Sequence, residues 1–226
     1  MTDHVAAINF PCTKSSMDFL CNEGLAKTSF LVGDPMYDAF CYYINRLDGS
    51  EMTELADFDG KKVKLPENFY YMTCHRQENT DTDEKLGSIF EAMNTLDAPT
   101  VYPVHPRNHY RAEQLLKTGN YRNIILTLPV GYKTSISLVN RAKKIVTDSG
   151  GVQREAFFAK KPCVTVLDFV VWPETMRDGC NVLARPDKGD ILAKLNREPE
   201  FDPDYQPFGD GRSAEKIVEK IKEFLL

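Results

Sequence analysis

Three short polar runs carry the groups best suited to binding an anion. In one, the β-branched run Ile145-Val146-Thr147 stops at Asp148, Ser149-Gly150-Gly151 follows, and a helix-compatible segment with Gln153 and Glu155 begins at once. A strand, a tight turn and a helix N-terminus in that order present free backbone N–H groups at the positive end of a helix dipole, which favours a phosphate oxygen. An ordinary turn whose serine caps the helix has the same signature. The other two runs tip the balance toward a phosphate cradle. Cys74-His75-Arg76-Gln77-Glu78-Asn79 and Val104-His105-Pro106 also follow predicted strands. Ligands of open α/β sheets bind beyond the carboxyl ends of the strands, so the three runs are expected to converge on one edge.

Within these runs the side chains suggest roles. His75 could be a satisfied core histidine, but the run after it is too polar for a core. With Arg76 beside it, His75 can donate to a diphosphate and stabilise charge on it as a leaving group. Glu155 has two readings of equal weight: a partner of the helix dipole, or a bidentate acceptor for the two hydroxyls of a ribose. His105 fits the same crevice, whereas His4 and His109 are expected to be solvated, and Asp210 between Gly209 and Gly211 reads as a turn residue. No group of His, Cys, Asp and Glu has metal-ligand spacing and no serine sits in a nucleophile elbow, so neither a metal nor another cofactor is expected.

The elements that must hold these groups follow from periodicity. Strands are predicted at 69–73, 100–104, 124–127, 144–147 and 162–167, alternating with helices at 84–96, 110–117, 135–141, 152–159 and 188–196. Continuous apolar strands between helices indicate an α/β fold, a doubly wound parallel sheet covered on both faces. Upstream, 5–10 reads as a strand, 15–22 as a helix capped by Ser15, 30–32 as a strand and 36–46 as a helix. The stretch from Asp48 to Asn68 is polar, a surface connection with a short strand at 61–65. Ser213 opens an amphipathic helix with Ile217, Ile221, Phe224 and Leu225 on one face.

Composition narrows the function classes. A length of 226 residues with 42% hydrophobic content supports a proper core. A net charge of -5 with interspersed Lys and Arg argues against a nucleic-acid partner. Six cysteines without a C-x-x-C pair read as reduced core thiols. No apolar run approaches the ~20 residues of a membrane span, and Asp3 and His4 do not fit a signal peptide, so a cytoplasmic chain without a membrane partner is expected.

Five motifs in order carry a resemblance to a known family: His75-Arg76-Gln77-Glu78-Asn79, Tyr102-Pro103-Val104-His105-Pro106, Pro129-Val130-Gly131-Tyr132, Thr147-Asp148-Ser149-Gly150-Gly151-Val152-Gln153-Arg154-Glu155-Ala156 and Pro207-Phe208-Gly209-Asp210-Gly211. The chain resembles the non-hydrolysing UDP-N-acetylglucosamine 2-epimerases. The resemblance implies a Rossmann-like carboxyl-terminal domain of a GT-B-type two-domain fold and a reaction in which UDP is eliminated and re-added with inversion at C2. It places His75 and Arg76 at the diphosphate, with His75 as the catalytic candidate. Ser149, Gly150 and Gly151 become the phosphate cradle and Glu155 the ribose ligand. His105, Gln153, Trp172 and Glu174 are candidate cleft contacts. Residues 1–28 resemble the last β–α unit of the amino-terminal domain, 29–208 the UDP-binding domain and 209–226 the crossover helix.

That reading leaves out the family's amino-terminal acidic residues, so this chain is expected to bind UDP or a UDP-sugar without turning it over. It is also expected to self-associate or to pair with a separate amino-terminal half. Leu167 to Glu174 departs from the family pattern: Leu167 stands for an arginine and Val170-Val171 for Thr-Glu, while Trp172 and Gly179-x-Asn181 resemble a subgroup with Thr-Glu-Trp, some members of which act on other UDP-sugars. Ser135 stands where the family often has Phe. The alternatives are the nucleotide-binding half of a GT-B glycosyltransferase, or a non-catalytic nucleotide-sugar binding module.

Overall fold

The strands carry large apolar side chains toward both faces of one sheet, so helices must cover each side. The structure, a computed structural model, describes residues 1–50 and 55–226. By backbone contacts the chain divides into two compact units, one of Met1–Arg46 with Asp202–Leu226 and one of Leu47–Phe201. In chain order the elements are α1 (Thr2–Val5), α2 (Lys14–Asn22), α3 (Pro35–Ile44), β1 (Tyr70–Thr73), α4 (Gln77–Thr80), α5 (Asp83–Asn94), β2 (Thr100–Pro103) and α6 (His109–Thr118). They continue with β3 (Ile124–Thr127), α7 (Tyr132–Arg141), β4 (Ile145–Thr147), α8 (Gly150–Phe158), β5 (Cys163–Val166), β6 (Asn181–Ala184), α9 (Lys188–Leu195) and α10 (Ser213–Leu225).

The sheet belongs to the 47–201 unit. Its order is β3-β2-β1-β4-β5-β6, with every neighbouring pair parallel. The period of two along each strand sorts the core. Tyr70 and Met72 of β1 and Tyr102 of β2 pack in one cluster with Leu86, Ile89, Phe90 and Met93 of α5 and Ile191 of α9. Tyr71 and Val101 point to the other cluster, with Leu138 and Val139 of α7 and Ala156 of α8. Each fully buried side chain of this size contributes about 1.5–3 kcal/mol, so both layers are needed to hold the strands flat against each other. The doubly wound parallel sheet expected from the alternation of elements is what forms.

The long core strands and helices lie within a few residues of their predicted places. Three short strands do not form as read. Residues 2–5 are helical, and the expected strand at 5–10 reduces to a single parallel bridge, Asn9 to Ser29. The strand read at 30–32 is absent, and 61–65 contributes only the antiparallel bridge between Ala56 and Lys62. Pairing stops at single bridges in these stretches, and a strand needs a neighbour paired over several residues. Residues 51–54 of the 48–68 connection lie outside the described residues. Elements not anticipated include α4, β6 and the 3-10 turns at Pro173–Gly179, where Asp178 takes φ 55° and Gly179 φ 76°. The α2 cap is Thr13, which accepts from Ser16 N, in place of Ser15. Of the six thiols, Cys74, Cys163 and Cys180 are buried, but Cys21 is exposed and Cys12 and Cys41 are half-buried, which corrects the reading of all six as core residues.

In the other unit, Gly33 is where the backbone demands glycine. Its φ is +97°, and a Cβ there would lie 2.6 Å from Ser213 Oγ and 2.9 Å from Phe208 O. Asp34 N donates to that same Phe208 carbonyl, and Asp34 caps α3 through Met36 N at 2.9 Å. Gly33→Ala should therefore lower unfolding stability by roughly 1–3 kcal/mol in denaturant titrations, because strain and a backbone clash act together.

Candidate anion-binding site

The strand order reverses between β1 and β4, and both strands end in polar turns. In such sheets the loops on either side of the reversal part and leave a crevice. His75 follows β1, His105 follows β2, and Ser149 follows β4; all three line one open pocket of ≈ 200 Å³ in the 47–201 unit. Its remaining walls include Tyr71, Thr73, Cys74, Pro129, Val130, Ser135 and Val152. The three polar runs meet at one edge because three parallel strands deliver them there.

Asp148 ties the runs together. Its side chain is fully buried, yet it accepts the His75 backbone N–H at 3.0 Å (Oδ1) and 2.9 Å (Oδ2), the Arg76 N–H at 2.8 Å and Asn79 Nδ2 at 3.3 Å. His75 Nδ1 lies 3.1 Å from Asp148 Oδ1. Burial alone would push the Asp148 carboxyl up; the hydrogen bonds from the His75 ring and the Arg76 and His75 backbone outweigh it and hold the group below the usual carboxylate value. The same contact raises the His75 ring above its ordinary value, against its partial burial and the nearby guanidiniums of Arg76 and Arg107. Around them, Tyr102 Oη at 2.6 Å and Asn108 Nδ2 at 3.0 Å both donate to the Cys74 carbonyl, and Thr73 and Thr147 bond across β1 and β4 at 2.6 Å.

At the α8 terminus both readings of the turn are present in the geometry. Ser149 Oγ accepts a long cap bond from Val152 N at 3.4 Å, and Ser149 N donates to Thr147 Oγ1 at 2.9 Å. The backbone N–H groups of Gly150 and Gly151 make no hydrogen bond among the described residues. Orphan donors at a helix start are the usual seat of an anion. A Cβ on Gly150 would lie 3.2 Å from Trp172 Nε1 and 3.3 Å from Val171 Cγ1, so glycine is what lets the 171–172 segment close on the turn. The Arg154 guanidinium stacks on the Trp172 ring at 4.1 Å.

The other candidates take varied positions. Arg76 Nε donates to the Asp148 carbonyl at 2.9 Å and its guanidinium carbon is 5.4 Å from the Phe169 ring. The His105 ring stacks 6.0 Å from that of His75, and its Nδ1 accepts from Arg107 N at 3.3 Å. Gln153 is fully buried: its Nε2 donates to Thr175 Oγ1 at 2.7 Å and its Oε1 has no partner among the described residues. Glu174 is also buried. His4 is exposed as expected and meets Glu23 at 2.8 Å, but His109 is half-buried with its ring 3.7 Å from Phe58, a correction to its solvated reading. Among the described residues no cluster could hold a metal ion.

Asp148 and Tyr71 were not singled out from the sequence. Asp148 was quoted only as part of a motif; the available signal was a carboxylate directly after three buried strand residues, which must find donors. Tyr71 lines the pocket without any motif to mark it and bonds at 3.1 Å to Ser135, which stands where the family often has Phe. Glu155 is 4% exposed, and burial pushes its carboxyl up to about 7, with Arg154 and the Tyr132 hydroxyl opposing part of the rise. A carboxyl raised in the fold contributes stability that is complete below its unfolded value of about 4.5 and is lost as pH rises through about 7. Thermal unfolding should accordingly show E155Q gaining on the parent protein between about pH 5 and about pH 8, by roughly 2–3 kcal/mol at the upper end.

Comparison with known proteins places this geometry in a family. The profile described as UDP-N-acetylglucosamine 2-epimerase matches residues 1–222. A UDP-N-acetylglucosamine 2-epimerase homolog of Methanococcus maripaludis is 39% identical over 226 residues, covering 98% of this chain and 62% of that protein. A UDP-2,3-diacetamido-2,3-dideoxy-D-glucuronate 2-epimerase of Pseudomonas aeruginosa is 37% identical, covering 98% and 61%. The crystal structure of the Methanocaldococcus jannaschii UDP-GlcNAc 2-epimerase, in complex with UDP-GlcNAc and UDP, superposes with a TM-score of 0.82 at 29% identity, covering 98% of this chain and 62% of that one. The chain thus spans about three fifths of the length of these relatives, and the matches favour the epimerase family over the glycosyltransferase alternative. With the family profile matched over residues 1–222 and these relatives aligned over nearly the whole chain, the chain belongs to the UDP-N-acetylglucosamine 2-epimerase family.

Proposed function

We propose that these residues form the UDP-binding part of a UDP-sugar 2-epimerase, and that on their own they bind the nucleotide without epimerising the sugar. The observation that carries the reading is the meeting of His75, His105 and Ser149 at one pocket on the strand-order reversal, beside the two unfilled N–H groups of Gly150 and Gly151. Those donors suit the diphosphate, and His75 with Arg76 supplies positive charge beside it. Glu155, one to two helical turns further on, is the acceptor for the ribose hydroxyls. Trp172 and Glu174 belong to the segment nearest the sugar; Leu167, Val170 and Val171 leave it without the cation, hydroxyl and carboxylate expected of the family, which supports binding over turnover.

Residues 1–28 are proposed as the last β–α unit of an amino-terminal domain and 209–226 as its crossover helix. On α10, Val218, Ile221 and Leu225 are exposed at 50%, 40% and 76%, a stripe that favours self-association or pairing with a chain supplying the remaining length of the relatives. Among the described residues no helix is long and apolar enough to cross a membrane.

Calorimetry should give one UDP site per chain with micromolar to sub-millimolar affinity, weakened about tenfold by H75A. UDP-GlcNAc mixed with the same protein should show no epimerised product by NMR. Absence of heat at millimolar UDP contradicts the binding reading; product formation contradicts the binding-only reading. In sedimentation, the molecular weight should rise with concentration, and V218D with I221D should abolish the rise.

A further inference from the structure

The His75 ring has two nitrogens and the structure commits one of them. Nδ1 is held at 3.1 Å by a carboxylate with no solvent exposure, while Nε2 has no hydrogen bond among the described residues. The same Asp148 oxygens take the backbone N–H groups of His75 and Arg76, so the ring and the loop that carries it are fixed by one group. The carboxylate in turn is anchored from β5 through Asn79, whose Nδ2 bonds both Asp148 Oδ2 at 3.3 Å and Val166 O at 2.9 Å. Four donors serve Asp148: two backbone N–H groups, the Asn79 amide and the His75 ring itself.

We propose that Asp148 is the positioning residue for His75. Resting on the reading of this pocket as a UDP site, its task is to fix the imidazole with its proton on Nδ1 and to turn Nε2 toward the diphosphate. A neutral ring in this tautomer accepts at Nε2. Taking up one proton there makes it an imidazolium that donates to a phosphate oxygen, with the positive charge balanced from below by Asp148. No bond to the ligand is made or broken by Asp148, which never touches it. The groups facing the ring are Asp148 beneath, His105 stacked at 6.0 Å, and the guanidiniums of Arg76 and Arg107. Only Asp148 among them favours the protonated ring. The arrangement is an acid–histidine pair in the sense used by many hydrolases, here directed at a leaving group's charge instead of at a nucleophile.

Nitrogen NMR of the ligand-free chain reads the tautomer directly. In the parent protein His75 should carry its neutral-state proton on Nδ1 and titrate above an ordinary histidine; in D148N the titration should fall and the Nε2-protonated form should appear. If the parent protein itself holds the proton on Nε2, the proposal is overturned, whether or not D148N folds. UDP calorimetry on the cycle of D148N, H75Q and the double variant gives the second readout. Asp148 acting through His75 predicts a loss of about tenfold for D148N in the parent protein and almost none in H75Q. Equal losses in both backgrounds mean a structural role and overturn it. A parent protein with the expected tautomer and no UDP heat would refute the ligand while leaving the tautomer control standing.

Discussion

A carboxylate taken wholly out of water must be met by donors or give up its charge. Asp148 is met from three directions: by the backbone of the loop after β1, by the His75 ring, and by Asn79, which reaches across to β5. Everything functional in the 47–201 unit leans on that satisfaction. It draws the β1 loop over the end of β4, so the ring and the start of α8 share one pocket. An asparagine at 148 keeps an acceptor for the loop's N–H groups and withdraws the charge that faces the His75 ring.

The sheet makes this junction available. With the order β3-β2-β1-β4-β5-β6, the chain turns back between β1 and β4, and the helices after those strands go to opposite faces, α5 to one core cluster and α8 to the other. The crevice is therefore a product of topology, while its chemistry is a product of the few residues that follow the strands. Local restraints finish it: the Cys74 carbonyl is bonded twice, and Gly150 leaves room for Trp172. A polar group held by several restraints reorganises little when charge arrives, which is the condition for effective electrostatic stabilisation.

Much of this was legible in residue order, and the parts that were not have physical reasons. β1 to β5 are continuous apolar runs between helical periods, so a parallel sheet and the edge that collects His75, His105 and Ser149 could be read directly. The runs at 5–10 and 30–32 looked similar, and 61–65 was read as a short strand in a polar stretch, but strand formation depends on a neighbour paired over several residues and periodicity does not supply one. β6 was hidden because Asn181-Val182-Leu183-Ala184 opens with a polar residue, whose side chain proves to be bonded to Thr165 at 2.8 Å. The Ser149-Gly150-Gly151 turn was legible as a motif; the contacts of the aspartate before it were not, because a motif names residues in sequence whereas Asp148 bonds residues about 70 positions away. Gln153, a candidate cleft contact, is buried, and its amide bonds Thr175.

The most direct test of the account is a map of backbone amide shifts as UDP is added to the 226-residue chain. Binding at the strand-order reversal predicts that the largest changes fall on His75, Arg76, Ser149, Gly150 and Gly151, with the free amides of the two glycines moving furthest downfield as they acquire phosphate oxygens. Saturable changes centred on other residues, or none at all at millimolar UDP, would contradict it.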